Sequence, residues 1–174
     1  MSGHSKWHQI KHKKGATDQK RGALFSKLVK AISVAARDNP SPDTNPRLRT
    51  MIEKAKQANV PNENIERAMK RSSEAKELEE VTIEAYGPDK VALIIIAVTD
   101  NQNRTIAEVK AIITKHGAKP AHQGSVLWSF TKTDGEWHPS FTQPPTPEGQ
   151  TKLDALIADL EAHDDVSSVV TNAA

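Results

Sequence analysis

The chain has no cysteine in its 174 residues, which excludes disulfides and thiolate metal sites and fits a reducing compartment. Long hydrophobic runs are missing too. The longest, 91–98, is far too short to span a bilayer, and the N-terminus has no apolar signal region. A soluble, cytoplasmic protein with no membrane partner is expected. Acid is scarce in one place: residues 3–30 hold eight Lys or Arg, three His and Trp7 against a single acid, Asp18. That imbalance points to a polyanion, nucleic acid first, because lysines attract phosphate and an indole offers a flat face for stacking.

The formal net charge of +2 hides an opposition between the two halves of the chain. Residues 1–76 carry 17 basic against 7 acidic side chains, net +10, and residues 77–174 carry 7 against 15, net −8. Such asymmetry suggests one part that docks on a negative surface and another that stays solvated or meets a basic partner. An apolar content of 36% suits modest cores, so two small units are expected rather than one extensive one.

Leu24, Leu28, Ile32 and Ala35 recur at helical spacing between Asp18 and Arg37, predicting an amphipathic helix with a basic outer face. A proline-rich break follows, and Asn45-Pro46 then supplies an N-cap with proline at the first helical position. The second helix is predicted over roughly 46–58, with Leu48, Met51, Ile52 and Ala55 inward. Val60-Pro61 starts a third, burying Ile65, Ala68 and Met69. Acids gather at 72–80, where a domain boundary is placed. Residues 81–86 and 91–99 read as a hairpin around Gly87-Pro88-Asp89, the second strand being apolar throughout and therefore central. Thr105 and Glu108 have capping-box spacing ahead of a helix that Gly117 closes. Residues 125–130 read as a third strand, Leu153, Leu156, Ile157 and Leu160 as the stripe of another helix, and 166–170 as a last strand. Residues 133–148, with four prolines and exposed-looking Trp137 and Phe141, read as a linker or long loop. The fold class is α+β: an N-terminal three-helix bundle with a basic tail over 1–76, then a ferredoxin-like ββαβαβ sandwich over 77–174.

Gly3-His-Ser-Lys-Trp7, Ile10-Lys-His-Lys13 and Asp18-x-Lys-Arg-Gly22 resemble the N-terminal signature of the YebC/PmpR family. Further ordered segments are similar to it: Asn45-Pro-Arg-Leu-Arg49, Ile65-Glu-Arg-Ala68, Glu84-Ala-Tyr-Gly-Pro88, Thr99-Asp-Asn-Gln-Asn-Arg-Thr105, Ala107-Glu-Val109, Gly124-Ser-Val126, Asp164-Asp-Val166 and Thr171-Asn172. The resemblance implies an N-terminal helical domain, an α/β domain, and a further α/β domain inserted before the C-terminal helix and strand. This chain reads as a shortened member in which the proline-rich stretch at 133–148 stands in for the inserted domain. It also implies a DNA-binding transcriptional regulator. The alternative is a ribosome-associated translation factor that binds ribosomal RNA and relieves stalling at proline-rich stretches. No enzyme activity is implied.

The candidate nucleic-acid-binding residues are His4, Ser5, Lys6, Trp7, Lys11, His12, Lys13, Lys14, Lys20, Arg21, Lys27, Arg47, Arg49 and Lys54. Trp7 can stack on a base or plug the seam between tail and helices. Arg47, Arg49 and Lys54 either extend the basic face or pack along the bundle. His4, His8 and His12 stand four apart, a spacing open to a transition metal, but the lysines around them disfavour one and no metal or other cofactor is expected. The segment 100–105 precedes a helix and reads as capping rather than an anion site. His116, His122, Ser125 and Asp100 lack a nucleophile elbow or phosphate-cradling glycines, so neither catalysis nor a small-molecule substrate is expected.

Overall fold

The computed structural model describes residues 18–71 and 77–174. Three helices come first: α1 (Asp18–Asp38), α2 (Pro46–Gln57) and α3 (Asn62–Lys70). Asn45 caps α2 as its sequence predicts, accepting the Leu48 N–H at 3.0 Å, while its amide donates to the Ala35 carbonyl at 2.8 Å and the Asn39 carbonyl at 2.7 Å. One side chain thus starts α2 and fixes it to the end of α1. Leu28, Ile32, Ala35 and Ala36 of α1 meet Leu48, Ala55, Ile65 and Ala68 in a common core, and the buried Ser33 hydroxyl donates to the Ala68 carbonyl at 3.1 Å.

The second half opens with the hairpin β1 (Glu79–Tyr86) and β2 (Ala92–Thr99), followed by α4 (Gln102–Lys115), β3 (Lys119–Pro120), a second hairpin β4 (Phe130–Thr133) and β5 (Glu136–Pro139), then α5 (Pro147–Ala162) and β6 (Val166–Thr171). The main sheet has the order β3-β1-β2-β6, antiparallel throughout. The layers are those of the expected sandwich. The central pair is a hairpin of consecutive strands, a strand order distinct from a split βαβ arrangement.

β2 is apolar throughout because both faces of the sheet are covered. Leu93 and Ile95 pack with Val109 and Ile113 of α4 and Leu153, Leu156 and Leu160 of α5. Ala92 and Ile94 face the other way, onto Val126 and Phe130 with Ile96 and Trp137 beside them. α1 also touches β2 and β6, so the helical half lies against this second face. Past the last strand, the Asn172 side chain continues the ladder by accepting the Ala92 N–H at 2.8 Å.

Four expectations are corrected. Residues 125–130 do not form a sheet strand, because the buried Glu84 carboxylate of β1 accepts the N–H groups of Gly124, Val126 (2.7 Å) and Leu127 (3.1 Å). Donors held by a carboxylate are not available to a ladder. A short 3-10 turn, Leu127–Ser129, occupies the place instead, and the sheet's edge is the two-residue β3. α4 begins three residues ahead of Thr105, capped by Asn101, which accepts the Arg104 N–H at 3.1 Å. Thr105 lies inside the helix, its hydroxyl buried between Thr99 (2.8 Å) and Asp165 (2.7 Å). The proline-rich stretch holds β5 and the start of α5, and Asp134 and Gly135, at φ 51° and 81°, make the two-residue turn between β4 and β5. Finally, Trp137 is not exposed: it is half-buried under that hairpin, with the Lys132 ammonium 5.3 Å from its ring centroid.

Candidate nucleic-acid interface

Of the predicted binding residues, His4, Ser5, Lys6, Trp7, Lys11, His12, Lys13 and Lys14 lie outside the described residues. Lys20 and Arg21 are exposed on the first turn of α1. They follow directly in sequence on the lysine cluster. Arg49 is exposed as well, and its guanidinium donates to the carbonyls of Pro42 (3.2 Å) and Asp43 (3.0 Å), bracing the α1–α2 connection.

Lys27, Arg47 and Lys54 are placed differently. All three line a cleft of about 90 Å³ between the helices and the sheet, with Glu80, Glu161 and Trp137 opposite. Arg47 pairs with Glu80 at the start of β1, and Lys54 with Glu136 of β5. The Lys27 ammonium donates to the Glu161 carbonyl at the end of α5. Burial holds the Lys27 ammonium below the usual lysine range, against the pull of Glu161, Asp164 and Asp165. One turn along α1, Lys30 lies 3.6 Å from the Asp165 carboxylate. These cations are internal ties, the packing alternative to an extended basic face.

Asp165 is the most heavily used acid of this junction. It is buried, accepts from Thr105 at 2.7 Å and from Arg104 at 3.0 Å, and faces Lys30. Burial alone would raise its carboxyl pKa, but the Thr105 hydroxyl, Arg104 and Lys30 together bring it below the ordinary range. The β4–β5 turn completes the contact: the Thr50 hydroxyl donates to the Asp134 carbonyl at 3.0 Å, and a Cβ on Gly135 would stand 2.7 Å from the Arg47 Cα. The hairpin is a strut between sheet and bundle.

At the open end of that hairpin the surface is aromatic. Tyr86, Trp128 and Phe141 are the exposed large hydrophobic side chains of the described residues. Phe141 was singled out by the sequence; Trp128 was hidden in the expected 125–130 strand, where alternation offers no sign that its ring faces water. Among the described residues no group of three or more His, Cys, Asp or Glu is placed to hold a metal ion, and no helix is long and apolar enough to cross a membrane.

Residues 5–75 match the TACO1/YebC protein N-terminal domain, and residues 78–135 match the TACO1/YebC second and third domain. A protein of Brachyspira hyodysenteriae named "probable transcriptional regulatory protein" is 43% identical over 174 residues, covering 97% of this chain and 70% of its own length. The chain belongs to the TACO1/YebC family. A relative from Dictyoglomus thermophilum with the same kind of name is 54% identical over 134 residues, 75% of this chain and 54% of the relative. The crystal structure of a conserved hypothetical protein, Aq1575 from Aquifex aeolicus, superposes with a TM-score of 0.79 at 34% identity, covering 98% of this chain and 97% of that one. The chain therefore has the family's α+β fold, while it spans only about half the length of several curated relatives, 54% for the one from Petrotoga mobilis. The first family match ends in the acidic segment before β1, and the second ends at Gly135, the hairpin turn seated on α2.

Proposed function

We propose that this TACO1/YebC protein regulates gene expression by binding nucleic acid, as a DNA-binding transcriptional regulator, and that the binding face runs from the N-terminal lysine cluster onto the first turn of α1. The observation that carries the reading is the division of labour among the cations. Arg47 and Lys54 are committed to internal acids and Lys27 to the Glu161 carbonyl, whereas Lys20 and Arg21 are exposed at the start of α1 and follow Lys6, Lys11, Lys13 and Lys14 in sequence. The names of the curated relatives support a role in transcription.

Salt dependence tests it directly. Each cation that neutralises a phosphate of duplex DNA adds about 0.9 to the slope of log affinity against log salt. Fluorescence anisotropy with a labelled duplex should therefore show the slope falling by about 1.8 in a Lys20→Gln, Arg21→Gln double variant. Lys54→Gln, which removes an internal pair, leaves it unchanged. A slope equal in all three proteins would remove α1 from the binding face.

A further inference from the structure

Tyr86, Trp128 and Phe141 converge on one patch. The Tyr86 hydroxyl donates to the Ser125 carbonyl at 3.0 Å, and the Trp128 indole N–H donates to that same carbonyl at 2.7 Å. Trp128 and Phe141, which flank the open end of the β4–β5 hairpin, then stack with ring centroids 5.5 Å apart and planes tilted by 33°. The Ser129 carbonyl, accepting the Ser140 N–H at 2.8 Å, closes that end of the hairpin. Trp128 is 68% exposed, yet its only polar side-chain atom is already engaged and its loop is clamped by the buried Glu84. What it presents to solvent is a fixed, planar apolar face.

We propose that this patch is a stacking site for the bases of a single-stranded nucleic acid. The inference rests on the nucleic-acid reading above and adds a second contact surface on the acidic half of the chain. Three features favour a base over a protein surface. Planar rings are what a base recognises, since every base has a π-face. The exposed residues along the hairpin and beside Phe141 in the chain, Thr131, His138, Ser140 and Thr142, are polar, unlike the apolar centre of a protein-docking patch. A cation stands beside Tyr86, because Lys119 of β3 pairs directly with it and directly paired residues share a sheet face. The four-residue hairpin strands hold the patch about 13 Å from α2 at roughly 3.3 Å per residue, clear of the junction between the two halves.

The test uses the full chain with labelled 12-mers of oligo-uridine and oligo-deoxythymidine and a duplex of equal length. Trp128→Leu and Phe141→Ala should each weaken single-strand binding on the order of tenfold, while Trp128→Phe, which keeps a ring, stays within threefold and duplex binding is unchanged throughout. Leucine retains apolar bulk without a π-face, so Trp128→Leu binding single strands as the wild type does would overturn the stacking site. If Trp128→Leu fails the circular-dichroism check of folding, Phe141→Ala decides by the same criterion. A wild-type protein that binds neither strand nor duplex sinks the nucleic-acid reading itself, a different outcome from wild-type binding that ignores the aromatic changes. Preference for oligo-uridine over oligo-deoxythymidine identifies RNA as the source of the bases, and equal binding identifies single strands of either kind.

Discussion

Glu84 shows what one side chain can decide. It sits in β1 with 2% of its surface exposed and accepts three backbone N–H groups from the segment that follows β3. Removing the carboxylate leaves the Val126 N–H buried and unpaired and takes the acceptor from the other two donors, so Glu84→Ala is expected to cost about 3 kcal/mol of stability in urea unfolding. The loop it holds carries Trp128, so the variant should also expose Trp128 to collisional quenching more strongly. A second residue-scale test is Asn45→Ala. Asn45 caps α2 and donates to the ends of α1 and of the connection, and its loss should cost about 1–2 kcal/mol.

At the scale of elements, the two hairpins have different tasks. β1–β2 is the centre of the sheet, and β4–β5 is the strut whose turn rests on α2. Gly135 has a positive φ and no room for a Cβ against Arg47, so Gly135→Ala should cost about 2 kcal/mol. Hydrogen exchange should rise in α2 and β5 while α4 and α5 stay protected. The helices and the first hairpin were legible in the sequence because they obey local rules. Asn45-Pro46 fixed the start of α2, apolar periodicity gave the cores of α1, α3 and α5, and the unbroken run in β2 marked a strand covered on both faces. What was illegible depended on partners distant in sequence. Thr105 looks like a cap until Asp165, 60 residues on, takes its hydroxyl. Residues 125–130 look like a strand until Glu84, about 40 residues earlier, takes their N–H groups. The second hairpin had a local signal, the Asp134-Gly135 dipeptide of a tight turn, but the prolines around it read as a linker. The candidate site divided on the same line: exposed Lys20 and Arg21 follow from helical periodicity, whereas the internal use of Lys27, Arg47 and Lys54 needs the fold.

For the whole molecule, the opposition between a basic and an acidic half is partly resolved inside the fold. Lys30 meets Asp165, Arg47 meets Glu80 and Lys54 meets Glu136 across the junction of the two halves. The pH dependence follows with a definite sign. Asp165 and Asp159 have carboxyl pKa values below the ordinary range; for Asp159 the causes are hydrogen bonds from His116 first and Lys115 second. A carboxyl depressed on folding contributes stability above its unfolded value, about 3.9, and that contribution is lost as pH falls through the folded value. Thermal stability should therefore fall below about pH 4, and Asp165→Asn should be less stable than wild type at pH 7 but show a shallower decline between pH 5 and pH 3. An equal decline in both proteins would remove Asp165 from the acid response. Lys20 and Arg21, exposed on α1, and the lysines that precede them in sequence are what the proposed function uses. In-cell ultraviolet crosslinking, with sequencing of the DNA and RNA recovered and with a Lys11→Glu, Lys13→Glu, Lys14→Glu variant in parallel, tests that most directly. The account predicts enrichment of promoter DNA that the variant loses; recovery of ribosomal RNA in place of promoter DNA, or promoter enrichment that the variant retains, would contradict it.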